Sequence, residues 1–372
     1  MRVEGTCDPG FEPVRAAFAR CFVERGELGA AVAVHLDGRL VVDLWGGVAD
    51  VPARRPWTRD TIAHSYSVAK PFVAVCALLL VERGLLELDA PVARYWPEYA
   101  QAGKEGTLVR HLLAHQAGLV ALREPQPPEV LLDWKRLTDL LAAEPPLWPP
   151  GTRHGEHAAF FGHLVGEVVR RVDGRTIGRF LADEVARPWV LDFHVGLEEA
   201  EHARAARLGD PDGAWRRSIL DDPRPLVARA LDNPPGILDV DVVNSTAYRA
   251  AEVPAVNGHG TARSIAAFYG GLAAGGTLDG VRLLRAESVE ELLRPQAAGR
   301  DELLERDVSW GLGFQVDDGG FFGLGGIGGF AGFGLRREGV QLGFGYVTCR
   351  LGGHGRSDAC EDALTQVLQI AS

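Results

Sequence analysis

The chain has 372 residues, 46% hydrophobic and 24% charged, ample for a soluble globular core in one large domain or two intimate ones. A formal charge of −11 speaks against nucleic acid and an anionic membrane surface as partners, and leaves small neutral or cationic ligands. No stretch reaches the length of a membrane span. Residues 1–10 carry no apolar run of the signal-peptide kind, so a cytoplasmic location is expected. The five cysteines, Cys7, Cys21, Cys76, Cys349 and Cys360, are odd in number, lack metal-ligand spacing and read as buried reduced thiols.

In chain order, Phe11 to Arg25 reads as an amphipathic helix with Val14, Phe18 and Phe22 on one stripe and Gly26 closing it. Ala31 to Leu36 and Leu40 to Trp45 are β-rich runs joined by Asp37-Gly38, a favoured hairpin turn. A helix over Ser67 to Val81 follows, then helical patterns alternate with proline-rich loops, including 124–129 and 144–151, as far as about residue 250. The last hundred residues predict a helix over Ala262 to Ala274. Strands are predicted at Trp310 to Val316, Phe330 to Arg336 and Val340 to Val347, with a turn at Glu338-Gly339, and a final helix from Asp358 to Ile370. This order predicts an α+β fold, a central antiparallel sheet flanked by helices and built from both chain ends. Residues 1–80 and 255–372 would form the sheet domain and 81–254 an inserted, mostly helical one, with the site in the cleft between them.

Lysine occurs three times against 36 arginines, and one lysine closes Ser67-Val68-Ala69-Lys70. Nine serines and three lysines placed at random would give that spacing about 0.07 times per chain. Arginine does not deprotonate in proteins whereas a desolvated lysine can, so the rare lysine suggests a base. On a helix, positions i and i+3 share a face, bringing the Lys70 amine to the Ser67 hydroxyl as in an activated serine nucleophile.

The tetrad, the Leu112 to Leu119 segment, the Trp148-Pro149-Pro150-Gly151-Thr152 loop, the Asn257 to Arg263 segment and a late glycine-rich strand occur in order over nearly the whole chain. Together they resemble the serine β-lactamase and penicillin-binding-protein superfamily, in particular its class C β-lactamase and carboxylesterase branch, which includes biosynthetic transacylases. The resemblance implies a covalent acyl-enzyme on Ser67 with Lys70 as base. The eleven histidines show no metal-ligand cluster beyond the His154 and His157 pair, and no phosphate-binding glycine fingerprint occurs, so no metal and no cofactor are expected. It also implies an oxyanion site between the backbone N–H groups of Ser67 and Ile327, where Gly325, Gly326, Gly328 and Gly329 let substrate approach the main chain.

Two positions depart from the family pattern. The motif tyrosine after the Pro-Gly-Thr loop is replaced by Glu156, within His154-Gly155-Glu156-His157. The cation or imidazole that opens the third motif is replaced by Leu324. A β-lactam carboxylate would then lack its positive contact, which argues against penicillin hydrolysis. Glu156 either pairs with Lys70 and raises its pKa, acts as acid or base in place of the phenol, or turns away to solvent or an arginine. Tyr66, His157, Trp310, Leu324, Gly326 and Gly328 are the candidate substrate contacts. His64 and His115 are expected to be structural, His259 to support the glycine-rich loop, and Asn244 and Phe330 to lie within reach of ligand.

The expected function is serine-dependent acyl transfer on a small-molecule ester or amide. A transacylase of specialised metabolism, such as antibiotic biosynthesis, comes first, because a missing tyrosine and histidine handicap water more than an amine. A carboxylesterase or β-lactamase-like hydrolase is the alternative, and a non-catalytic ligand-binding relative the third reading.

Overall fold

Asp37 and Gly38 both take positive φ, 46° and 80°, the backbone that a two-residue hairpin turn requires. They join β2 (Gly29–Leu36) to β3 (Arg39–Asp50). The structure is a computed structural model and describes residues 2–337 and 339–369. β1 (Val3–Cys7) pairs with β3 on its far side, and the two-residue β4 (Arg55–Pro56) pairs with the end of β3.

The other half of the sheet comes from the end of the chain. It consists of β5 (Ala297–Arg300), β6 (Asp307–Trp310), β7 (Gln315–Val316), β8 (Phe321–Gly326), β9 (Phe330–Arg337) and β10 (Val340–Thr348). The ten-stranded sheet runs β1-β3-β2-β10-β9-β8-β7-β6-β5, with β4 off this path, and every pairing is antiparallel. β10 beside β2 is the seam that joins the chain ends, as the α+β reading expects.

Five helices frame the sheet and the turn that carries Ser67: α1 (Glu12–Glu24), α2 (Lys70–Glu82), α3 (Phe161–Asp173), α4 (Ala262–Ala273) and α5 (Gly355–Leu368). α1 and α5 cover one face of the sheet, burying Val14, Phe18, Cys21 and Leu364 against Val32, Phe344 and Tyr346. α4 lies on the other face and touches β10 almost backbone to backbone. A Cβ on Gly343 or Gly345 would come within 2.0 or 2.4 Å of the Ala266 or Ala262 carbonyl oxygen, so the small residue sets the approach. α2 is apolar all round beyond Lys70 because it is buried all round, and Phe72 stacks between Phe193 and Phe268 at 3.8 and 3.7 Å.

The structure corrects three local expectations. The predicted Trp310 to Val316 strand is broken, since Gly311 bonds Phe314 and Gly313, at φ 83°, donates to Leu113 O instead of to a strand. The helix expected from Ser67 begins at Lys70, after a 3₁₀ turn over Tyr66–Ala69. The last helix starts three residues early, at Gly355; its expected end Ile370 and the turn residue Glu338 lie outside the described residues. Among the described residues no helix is long and apolar enough to cross a membrane.

Candidate active site

The turn that carries Ser67 is held from behind. Ser65 donates through both its N–H (2.8 Å) and its Oγ (3.0 Å) to Gly258 O, and the Tyr66 hydroxyl donates to Ile237 O at 2.9 Å. Tyr66 itself has φ 46°, unfavourable for an aromatic residue and sustained only because its ring is packed among His64, Trp215 and Phe330. That turn delivers Ser67 to the mouth of α2, where Pro71 follows Lys70 in the first turn at no hydrogen-bond cost.

Lys70 is fully buried, and its Nζ lies 2.7 Å from Ser67 Oγ, 3.3 Å from Ala255 O and 3.1 Å from Glu156 Oε1. Three acceptors match the three protons of an ammonium. The Ala255 carbonyl reaches the lysine because α3 presents Gly162 there; a Cβ on Gly162 would stand 2.3 Å from Ala255 N. Asn257 ties the same loop, accepting from Val253 N and donating to Tyr248 O and Ala251 O.

Two opposed influences act on Lys70. Burial lowers its pKa below the ordinary 10.5 and prevails, while the Glu156 carboxylate raises it. The positive end of the α2 dipole, where Lys70 sits as the first helical residue, also disfavours the ammonium. The result is a lysine more easily deprotonated than a surface one, in contact with a serine hydroxyl.

Of the readings open for Glu156, the geometry selects the pairing with Lys70 and excludes an outward turn. Its side chain keeps 12% of its surface exposed, against none for Lys70. The glycine-rich end of β8 closes on the same turn: a Cβ on Gly326 would stand 2.5 Å from Ser65 O. Gly328 and Gly329 continue at φ 101° and 99°, and Ile327 between them and Gly326 is half-buried.

A family model described as Beta-lactamase matches residues 14–369. The chain belongs to the beta-lactamase family. This beta-lactamase-family chain is 35% identical over 326 residues to "Esterase/beta-lactamase LipL" of Mycobacterium tuberculosis, covering 85% of this chain and 74% of that one. Among solved structures it resembles a family VIII carboxylesterase at 36% identity and TM-score 0.89, covering 99% of this chain and all of that one. A penicillin-binding-protein homologue from Caulobacter crescentus superposes at TM-score 0.88 with 34% identity, again over 99% and 100% of the two chains.

The beta-lactamase-family site gathers Ser67, Lys70 and Glu156, with Gly326 against the turn. Other candidate contacts are placed differently, and burial is the reason. The Tyr66 ring and its hydroxyl are buried and spent on Ile237. His157 is fully buried, and burial pushes its pKa down to about 3, so it is a neutral wall element. Trp310 is fully buried, its ring tilted against that of His115 with centroids 4.2 Å apart, and Leu324, on β8, packs with Trp310 and Val308. Gly328 abuts Leu351, which a Cβ there would meet at 2.7 Å.

Asn244 is consumed by backbone bonds to Leu208 and Val240, and Phe330 is fully buried against Tyr66, so neither reaches ligand. His259 packs edge-on against His64, behind the nucleophile turn rather than at the glycine-rich loop. The Ala255 carbonyl and the Asp301 carboxylate, which accepts from Glu156 N at 3.3 Å, carry no motif that points to them. One trio of metal-type donors, Asp192, His194 and Glu201, is already spanned by the Arg204 guanidinium, which bonds both acids.

Proposed function

We propose that the protein is a serine hydrolase acting on small carboxylic esters through an acyl-enzyme on Ser67. The continuous contact Ser67 Oγ, Lys70 Nζ, Glu156 Oε1, at 2.7 and 3.1 Å, carries the reading. Neutral Lys70 takes the Ser67 proton as Oγ bonds to the ester carbon, and the oxyanion is received by the N–H groups of Ser67 and Ile327. Collapse breaks the ester C–O bond, and the leaving alkoxide takes the proton from Lys70. Water then attacks the acyl carbon and gives its proton to the Glu156 carboxylate, the member of the three with most access to solvent. Ser67 Oγ departs and is reprotonated through Lys70.

Two observations support esters over β-lactams. Leu324, on β8, is packed with Trp310 and Val308 and offers no positive charge to a β-lactam carboxylate. The similar proteins named above include a carboxylesterase and an esterase.

Transfer to an amine is the second reading, favoured by one observation: the imidazole next to Glu156, that of His157, is buried and neutral, so activation of water falls to Glu156 alone. An amine needs less of that help. Short-chain nitrophenyl esters supplied with and without a panel of small primary amines test both. Hydrolysis alone removes the transfer reading, amide products establish it, and no Ser67-dependent turnover of any ester sinks the proposal.

A further inference from the structure

Asp301 is fully buried and, among the described residues, pairs with no cation. A carboxylate in that position needs hydrogen bonds to stay charged. Asp301 has four neutral donors: Oδ1 accepts from Leu303 N (2.9 Å), Leu304 N (2.9 Å) and Glu156 N (3.3 Å), and Oδ2 accepts from Trp310 Nε1 (3.0 Å). Three of these donors lie within nine residues of it and shape the turn between β5 and β6. The fourth crosses 145 residues of sequence to the peptide that carries Glu156.

The rest of that peptide is fastened to the same two flanks. Glu302 N donates to His154 O and Gly155 N to His115 O, both at 3.0 Å, and His157 N donates to His115 Nδ1 at 3.0 Å. Trp310, bonded to Asp301, packs its ring at a tilt against that same His115. Asp301 and His115 are thus two side chains that hold successive N–H groups, one on each side of the Glu156 carbonyl, and of the two it is Asp301 that accepts from Glu156 N.

We infer that Asp301 is the positioning residue of the site: its carboxylate anchors the Glu156 main chain to the sheet edge and sets the reach of the Glu156 side chain to Lys70. This rests on the proposed role of Glu156. Asp301 touches no reacting atom, so it acts only through Glu156, and its loss changes nothing once Glu156 is gone.

The expected behaviour follows from geometry. In Asp301→Asn one end of the side chain becomes a donor and faces either Trp310 Nε1–H or the three backbone N–H groups, so one contact or three turn repulsive. The titratable groups around Lys70 are Glu156, His115 and His157, and burial holds both histidines neutral, so the acid limb of the rate profile reports the Lys70 and Glu156 pair.

The experiment is a cycle of Asp301→Asn, Glu156→Gln and the double variant, with kcat and kcat/KM for a nitrophenyl ester measured against pH and folding checked by melting. Expected are a loss of about tenfold or more in the kcat of Asp301→Asn, since kcat contains deacylation, a kcat/KM acid limb displaced to lower pH as in Glu156→Gln, and less than about a twofold further loss of kcat when Asp301→Asn is added to Glu156→Gln. A folded Asp301→Asn with an unmoved limb, or losses that multiply in the double variant, overturns the inference. Should Glu156→Gln itself keep the parent rate and limb, the role of Glu156 fails instead. If Asp301→Asn does not fold, Trp310→Phe, which deletes one donor to the same carboxylate, is measured the same way. A smaller displacement in the same direction is expected, and none overturns the inference.

Discussion

Glu156 Oε1 lies 3.1 Å from Lys70 Nζ, and this contact raises the lysine pKa while the burial of Lys70 lowers it by more. The balance has a direct kinetic signature. Activity requires neutral Lys70, so kcat/KM rises with pH along an acid limb set by that lysine. Glu156→Gln removes the influence that raises the pKa, so the limb of kcat/KM moves to lower pH, while kcat, which contains deacylation, falls about ten- to a hundredfold through loss of the proton acceptor for water. A pH profile that moves upward or stays in place contradicts the assignment.

Gly326→Ala tests the close approach of β8 to the nucleophile turn. The new Cβ would meet a backbone carbonyl, Ser65 O, at 2.5 Å, and Tyr66 Cβ at 3.2 Å, so the strand end must move away from Ser67. Acylation, read as the release of the first equivalent of nitrophenol, should slow about tenfold or more. Gly106→Ala, where nothing lies within 4 Å of the added carbon, serves as the control and should leave the rate unchanged.

Leu324→Lys asks whether the missing cation can simply be restored. The side chain is 4% exposed and packed with Val308 and Trp310, so an ammonium there is buried without a partner. Melting should fall by about 6–12 °C, with no gain of penicillin hydrolysis. A stable variant that hydrolyses penicillin would show that this position faces substrate.

Much of the site was legible, and the limits have physical causes. Ser67 and Lys70 stand out because their spacing and the scarcity of lysine are local facts, as is the Asp37-Gly38 turn. Lysine scarcity alone is not sufficient, however. Lys104 is buried too, and its Nζ donates to Gln101 O, Ala142 O and Glu144 O, so that lysine staples loops.

His157 and Trp310 look like pocket walls in sequence, yet edge-on and tilted ring contacts with His115 across distant segments accompany the burial of both. The 3₁₀ turn before α2 depends on a tyrosine at positive φ, which no propensity favours and only the packing around Tyr66 sustains. Asp301 was invisible because its meaning lies in one hydrogen bond spanning 145 residues.

Away from the site, Glu361 on α5 gives a separate check on the packing of that helix. Burial, and then the neighbouring Asp358 and Asp362 carboxylates, push its pKa up to about 7 from an ordinary 4.5. The folded state therefore holds a proton that the unfolded state releases, and stability declines as pH rises from 4.5 through about 7. Glu361→Gln should match the parent near pH 4.5 and melt about 2 °C higher at pH 8. An equal difference at both pH values would place Glu361 in solvent.

The central claim, that Ser67 carries the acyl group, is tested most directly by intact-mass measurement after brief exposure to a nitrophenyl ester, with the adduct located by peptide mapping. One acyl group on the peptide containing Ser67, accumulating in Glu156→Gln and absent in Ser67→Ala, is the predicted result. Ester turnover that persists in Ser67→Ala, or an adduct mapped to another residue, would contradict it.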